Sequence, residues 1–88
     1  MANQHYTLWV KTHCPFCIKA KDELYRRKLD HTVYVMDDRP DDLNTTKQVL
    51  NHPTVPIIVL QENDKEKLIG GYTDLLMWLT EQSEGQSD

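Results

Sequence analysis

The chain has 88 residues and a formal net charge of −4. This length fits one domain, and the charge disfavours general nucleic-acid binding. There is neither an apolar run long enough to span a bilayer nor a visible secretory signal, so we expect a cytoplasmic protein without membrane association.

The first predicted elements are a strand and a helix, with two cysteines where they meet. Residues 5–10 are rich in β-prone side chains and predict the strand. Pro15 suits a first helical position, because its missing N–H would have no partner there. An apolar stripe at helical spacing runs through Cys17, Ala20 and Leu24. The helix is therefore predicted over residues 15–29.

The middle of the chain predicts a second strand and a second helix. Residues 31–36 form the strand, and a strand-helix-strand order implies a right-handed parallel crossover. Pro40 opens the second helix, and Asp41 and Asp42 are favourable in its first turn. Residues 51–53 end this helix.

The last third predicts a hairpin and a third helix. Residues 57–60 are wholly apolar, as in a buried central strand, and residues 66–69 follow a polar turn as a fourth strand. Gly70 and Gly71 then interrupt the pattern, and Thr73 is the predicted helix cap. The domain is predicted to span residues 1–82 and to be followed by a polar tail over residues 83–88.

This β-α-β-α-β-β-α order predicts an α/β protein in which three helices flank a four-stranded mixed sheet. It is the element order of the thioredoxin fold.

The two cysteines are predicted to form a redox-active pair. Cys14 precedes a helix, where unpaired backbone N–H groups and the helix dipole favour the nucleophilic thiolate over the thiol. Cys17 lies one turn further on, on the apolar stripe. We therefore expect Cys14 to be exposed and to attack, and Cys17 to be buried and to resolve the mixed disulfide.

Zinc binding is the main alternative for this cysteine pair, because zinc sites use the same spacing. Zinc usually needs two further ligands. The four histidines include no pair at the spacing that zinc sites favour. The proline at the helix start and the preceding strand favour redox chemistry.

The sequence resembles the glutaredoxin family, and the resemblance covers nearly the whole chain. The family's Cys-Pro-Tyr-Cys site reads Cys-Pro-Phe-Cys at residues 14–17, and its Thr-Val-Pro stands at residues 54–56. Its Gly-Gly, with Asp-Leu three residues on, stands at residues 70–75. Its lysine three residues before the first cysteine is Lys11. The Trp-Cys-Gly-Pro-Cys of thioredoxins is absent.

The resemblance implies a site for glutathione as co-substrate. Pro56 is cis in this family, so the backbone of Val55 pairs with the cysteinyl part of glutathione like an added strand. Helix N–H groups hold the γ-glutamyl carboxylate, Asp74 pairs with the ammonium, and Lys11 binds the glycyl carboxylate. The implied glutathione-binding residues are Lys11, Phe16, Thr54, Val55, Pro56, Gly71, Thr73 and Asp74.

Three residues depart from the family's usual pattern. Phe16 lacks the tyrosine hydroxyl, and His13 replaces a small polar residue. Pro53 stands where many members carry a basic or polar side chain, which implies that one carboxylate contact is missing.

The resemblance implies an enzyme, a glutathione-dependent disulfide oxidoreductase that acts through Cys14. The implied partners are glutathione and glutathionylated or disulfide-containing proteins, with ribonucleotide reductase as one family client. We expect a monomer without a bound metal.

Two other functions stay open. The first is an iron–sulfur or zinc binding module, which Pro15 disfavours because cluster-binding members usually carry a smaller residue there. The second is a thioredoxin-like electron donor that does not use glutathione. The γ-glutamyl site implied at Thr73 and Asp74 argues against this donor.

Overall fold

A computed structural model describes residues 4–86 of the chain. Within this range the elements follow the predicted order. The strands are β1 (Gln4–Val10), β2 (His31–Val35), β3 (Ile57–Glu62) and β4 (Lys65–Gly70). The helices are α1 (Pro15–Arg26), α2 (Pro40–Val49) and α3 (Tyr72–Gln86). No helix in this part of the chain is long and apolar enough to cross a membrane.

The four strands form one mixed sheet in the order β2-β1-β3-β4. β1 and β2 are parallel, whereas β1–β3 and β3–β4 are antiparallel pairs. The β3–β4 hairpin turns at Asn63 and Asp64, which both have positive φ (51° and 70°), as a two-residue turn between twisted strands requires. The predicted four-stranded mixed sheet is confirmed.

The main core lies between one face of the sheet and helices α1 and α3. Alternate residues of β1 point to this face, because strand side chains alternate. The core consists of Tyr6, Leu8, Val10, Cys17, Ala20, Leu24, Ile58, Leu60, Leu75 and Leu79. A smaller cluster of Met36, Leu43 and Ile57, with Trp9 against it, packs with α2. Since Trp9 alternates with Leu8 and Val10, α2 covers the opposite face.

Helix α1 ends at Arg26, three residues earlier than predicted. Lys28 adopts a left-handed conformation, with φ of 58°. The Lys28 N–H then donates to the Tyr25 carbonyl, and the Leu29 N–H donates to the Leu24 carbonyl. These two bonds form a Schellman motif, which satisfies the last carbonyls of the helix and stops it.

Helix α3 begins at Tyr72, so the prediction that Thr73 caps it is wrong. The Gly71 carbonyl accepts the first helical bond, from the Leu75 N–H (3.0 Å), which makes Gly71 the cap. The helix continues through Gln86, into the segment predicted as a polar tail, whose last two residues lie outside the described range.

Candidate active site

The two cysteines lie at the start of α1. Cys14 has extended backbone angles (φ −127°, ψ 105°) and caps the helix, and Pro15 is its first residue. The backbone N–H of Cys17 donates to Sγ of Cys14 across 3.2 Å. The two residues form a disulfide, and their Cα atoms are 5.1 Å apart. The helix start therefore directs a hydrogen-bond donor at the sulfur predicted to react.

Cys17 is the more buried of the two cysteines, as predicted, but Cys14, which was predicted to be exposed, is only partly exposed. Cys17 is fully buried (0% exposed) within the main core, whereas Cys14 is only partly buried. A partner disulfide therefore has access to Cys14. Cys17 is placed to react only with the sulfur of Cys14.

The loop before β3 brings a backbone carbonyl to the reactive sulfur. The carbonyl oxygen of Val55 lies 3.9 Å from Sγ of Cys14. The Val55–Pro56 peptide bond is cis, as predicted. The side chain of Val55 packs against both hydrophobic clusters, so this loop is anchored in the core.

A groove of about 190 Å³ runs beside this loop. Seven of the eight residues predicted to bind glutathione border it. They are Phe16, Thr54, Val55, Pro56, Gly71, Thr73 and Asp74. The eighth, Lys11, is exposed in the loop before Cys14 and is not part of the groove's border.

Two further residues, Tyr72 and His52, border the groove but were not predicted. The Tyr72 ring stacks on Phe16 with centroids 6.1 Å apart and an interplanar angle of 29°. Nδ1 of His52 lies 2.9 Å from the carbonyl oxygen of Thr54. Both residues could have been found from their position in the sequence. Tyr72 stands between the predicted residues Gly71 and Thr73, and His52 stands two residues before the predicted Thr54.

Asp74 stabilises the corner between β4 and α3. Its Oδ2 accepts a hydrogen bond from the backbone N–H of Gly71 (3.0 Å). This is the reaching-back half of a capping box, in which an acidic third residue satisfies the N–H of the cap. Asp74 is exposed and also borders the groove.

A second carboxylate organises the loop that precedes Cys14. Oδ1 of Asp37 accepts a hydrogen bond from the backbone N–H of Thr12 (3.0 Å). Hydrogen bonds from Thr12 lower the pKa of Asp37, and the positive charges of His13 and Lys11 lower it further. Asp37 therefore ties the β1–α1 loop to the loop after β2.

This fold and dithiol together define a thioredoxin-fold thiol–disulfide oxidoreductase. The attacking cysteine caps a helix, the resolving cysteine is buried one turn on, and a cis-proline loop faces the pair.

Comparison with known proteins narrows this class to one family. The glutaredoxin family model matches residues 6–64, more than half of the chain. A dithiolic glutaredoxin of Trypanosoma brucei brucei has a similar structure, with a TM-score of 0.71 and 30% identity over 88% of this chain and 78% of that one. A search of curated protein sequences found no match. The chain belongs to the glutaredoxin family.

Two more distant structures share the fold. Glutaredoxin C1 of Populus tremula x tremuloides has a TM-score of 0.72 and 20% identity, covering 88% of this chain and 68% of that one. A Plasmodium falciparum thioredoxin has a TM-score of 0.61 and 13% identity, covering 94% and 72%. The thioredoxin-like fold predicted from the sequence is confirmed.

Proposed function

We propose that this protein is a glutathione-dependent oxidoreductase that reduces glutathione mixed disulfides and protein disulfides. The observation that carries the proposal is the groove beside the loop that faces Cys14, because seven of the predicted glutathione-binding residues border this groove. The proposal places the enzyme in the cytoplasm, as a monomer.

In the proposed placement, glutathione runs along the loop before β3. Its cysteinyl part pairs with the backbone of Val55, whose carbonyl lies 3.9 Å from Sγ of Cys14. Its γ-glutamyl carboxylate accepts hydrogen bonds from the N–H groups that open α3. The ammonium group pairs with Asp74.

The proposed reaction begins with the reduced enzyme. The Cys14 thiolate attacks the glutathione sulfur of a mixed disulfide, and the substrate leaves as a thiolate that takes a proton from water. Cys14 is now joined to glutathione. A second glutathione thiolate attacks this bond, releases oxidised glutathione and restores the Cys14 thiolate. The N–H of Cys17 stabilises the Cys14 thiolate both before the first attack and after the second one has released it.

A second route uses both cysteines and serves protein disulfides. Cys14 first forms a mixed disulfide with the client, and Cys17 then attacks Sγ of Cys14 and releases the reduced client. The product is the Cys14–Cys17 disulfide that the structure contains. Two glutathione molecules reduce it. Clients of this route are disulfide-containing proteins, with ribonucleotide reductase as a candidate.

A glutathione-coupled assay on a small glutathione mixed disulfide tests the proposal. We expect Cys14→Ser to be inactive and Cys17→Ser to stay active, because the first route needs only Cys14. On a protein disulfide, Cys17→Ser is expected to lose most of its activity. A serine substitution at either position is nearly isosteric, so each variant is the other's control.

Three outcomes would overturn the proposal. Equal loss in both variants, together with stoichiometric zinc in the wild type, would indicate a zinc module. Visible absorption after anaerobic purification would indicate an iron–sulfur module. Activity with a flavin reductase but none with glutathione would indicate a thioredoxin-like electron donor.

A further inference from the structure

The sheet has two edge strands, β2 and β4, and they differ in how they are protected against further pairing. β4 carries three exposed charged side chains at residues 65–67, and its pairing with β3 is irregular at Ile58 and Val59. Charges and irregular pairing are devices that keep an edge from adding another strand. β2 contains no acidic residue, lysine, arginine or proline, and it pairs with β1 in one continuous register. The β2 edge is therefore open to an added strand.

The bonds between β1 and β2 show which backbone groups of β2 face outward. The Tyr6 N–H donates to the Asp30 carbonyl, and the Met36 N–H donates to the Val10 carbonyl, each across 2.9 Å. Because backbone groups alternate in direction along a strand, even-numbered residues of β2 face β1 and odd-numbered residues face away from it. The outward-facing residues are His31, Val33 and Val35. Their N–H and C=O groups have the spacing that an added antiparallel strand needs.

The β2 edge is exposed and held in place by its neighbour. Tyr34 and Val35 are 47% and 51% exposed. The Tyr34 ring stacks on the ring of Trp9 in β1, with centroids 5.9 Å apart. An edge that is already ordered adds a strand at a lower cost in conformational entropy.

A cavity of about 470 Å³ opens at the end of this edge where β2 begins. Its border consists of Tyr25, Arg26, Lys28, Leu29, Asp30 and His31. Arg26 is already bound to Asp22 and Glu23. Lys28 is exposed and has no ion-pair partner among residues 4–86. The cavity thus offers a free ammonium group to the residue that follows the paired part of an added strand.

The opposite end of the edge carries negative charge. Two exposed carboxylates, those of Asp37 and Asp38, follow β2 there, before Arg39 begins the turn into α2. Because opposite charges attract and like charges repel, an acidic residue of the added strand is favoured beside Lys28 and disfavoured beside Asp38. The two ends of the edge therefore select the direction in which a charged segment lies.

A second copy of this chain fits the cavity poorly. In an antiparallel pair of two β2 strands centred on Val33, Met36 and Asp37 of the second copy would reach the cavity. Met36 is buried in its own core, and Asp37 accepts the hydrogen bond from the Thr12 N–H, so neither side chain is free to enter. A separate extended segment has no such constraint.

We propose that the β2 edge binds an extended segment of a protein client as an added antiparallel strand, with uncharged β-prone residues opposite β2 and an acidic residue beside Lys28. This inference rests on the proposed function, whose second route acts on protein disulfides. Asp37, two residues beyond β2, is bonded to Thr12, and Thr12 stands two residues before Cys14. A client on the β2 edge is therefore bound next to the loop that precedes the reacting sulfur.

Amide NMR of the full chain, titrated with a synthetic peptide, tests this inference. The probe is acetyl-Lys-Val-Thr-Val-Thr-Val-Thr-Glu-Glu-amide, whose valines lie opposite the outward-facing residues of β2. We expect saturable shifts of the His31, Val33 and Val35 amides, and smaller shifts of the inward-facing Thr32 and Tyr34 amides. N-methylation of the three valines should abolish binding, because it removes the donors that face β2. N-methylation of the three threonines is the matched control and should preserve binding.

A charge exchange tests the role of Lys28. Lys28→Glu should bind the probe about fivefold more weakly, because an exposed ion pair is replaced by repulsion. Lys65→Glu removes an exposed charge from the other edge strand and should bind it like wild type. A peptide with its lysine and glutamates exchanged should bind wild type about fivefold more weakly than the probe, and should bind Lys28→Glu more tightly than wild type. The exchanged peptide tests the charge on wild type alone if thermal melts show that Lys28→Glu is unfolded.

The outcomes separate this inference from the proposed function. No shifts in β2, or equal shifts with both methylated peptides, would overturn the added strand. Shifts of the same amides that grow with protein concentration in the absence of peptide would show that a second copy occupies the edge. Equal affinity of wild type for the probe and the exchanged peptide would overturn the role of Lys28. An inactive wild type in the assay on a small glutathione mixed disulfide, with peptide binding intact, would overturn the proposed function instead.

Discussion

Gly70 leaves the space that the carboxylate of Asp74 occupies. A Cβ atom on Gly70 would collide with Oδ2 of Asp74 and would lie only 2.8 Å from its Cγ. Gly70 also has φ of 119°, which side chains rarely tolerate. The same Oδ2 accepts the hydrogen bond from the Gly71 N–H. The Gly-Gly sequence therefore builds the corner that presents Asp74 to the groove.

Replacing Gly70 with alanine should destabilise the protein. We expect Gly70→Ala to lower the free energy of unfolding by about 2 kcal/mol, from the strained backbone and the displaced carboxylate. Gly71→Ala is the matched control, because its Cβ would meet only the Pro56 carbonyl at 3.8 Å. The control should lose at most about 1 kcal/mol, as the helix cap becomes alanine. Urea unfolding measures both, and equal losses would contradict the argument.

Two substitutions at Asp74 should separate its structural role from its binding role. Asp74→Asn keeps an oxygen that accepts the Gly71 N–H but loses the charge, so we expect a small loss of stability and about tenfold weaker glutathione binding. Asp74→Ala loses both interactions, so its free energy of unfolding should also be about 1 kcal/mol lower than that of wild type. Unfolding and S-methylglutathione binding are the two measurements. Wild-type affinity in Asp74→Asn would exclude the ammonium contact.

Asp37 should contribute to stability in a pH-dependent way. Its pKa is lowered in the folded protein from the ordinary 3.8, so its contribution is present above pH 3.8 and is lost as pH falls through the lower folded value. We expect Asp37→Asn to melt below wild type at pH 7, and the two melting temperatures to converge once the pH has fallen below the lowered pKa of folded Asp37. Asp38→Asn is the matched control, because it removes the neighbouring exposed carboxylate and leaves the hydrogen bond from Thr12 to Asp37 in place. A constant gap between Asp37→Asn and wild type would contradict the linkage.

Local signals explain why the cysteine site was predictable. Proline at a first helical position marks the start of α1, and the apolar stripe places Cys17 on its buried side. Both signals lie within a few residues of the reacting sulfur. The hydrogen bond from Cys17 to Cys14 follows from the geometry of any helix start.

Element ends were predicted less well, because several neighbouring residues satisfy the same local rule. Lys28 follows α1 in a left-handed conformation that glycine usually adopts. A lysine in the sequence does not predict this conformation. Thr73 is a good capping residue by type, yet Gly71 caps the helix because Asp74 reaches back to its N–H. Which of several possible capping residues starts or ends a helix therefore depends on how the sheet positions the neighbouring backbone.

The sequence by itself determined the order of the elements, the mixed sheet and the place of the dithiol, because hydrophobic periodicity, prolines and glycines act over a few residues. Tertiary structure alone decided which distant segments form the groove. Phe16, Val55 and Asp74 meet because α1 and α3 pack on one face of the sheet and the loop before β3 is anchored between both clusters. The direction of the His52 ring likewise depends on one contact, to the Thr54 carbonyl, that exists only once the loop has folded.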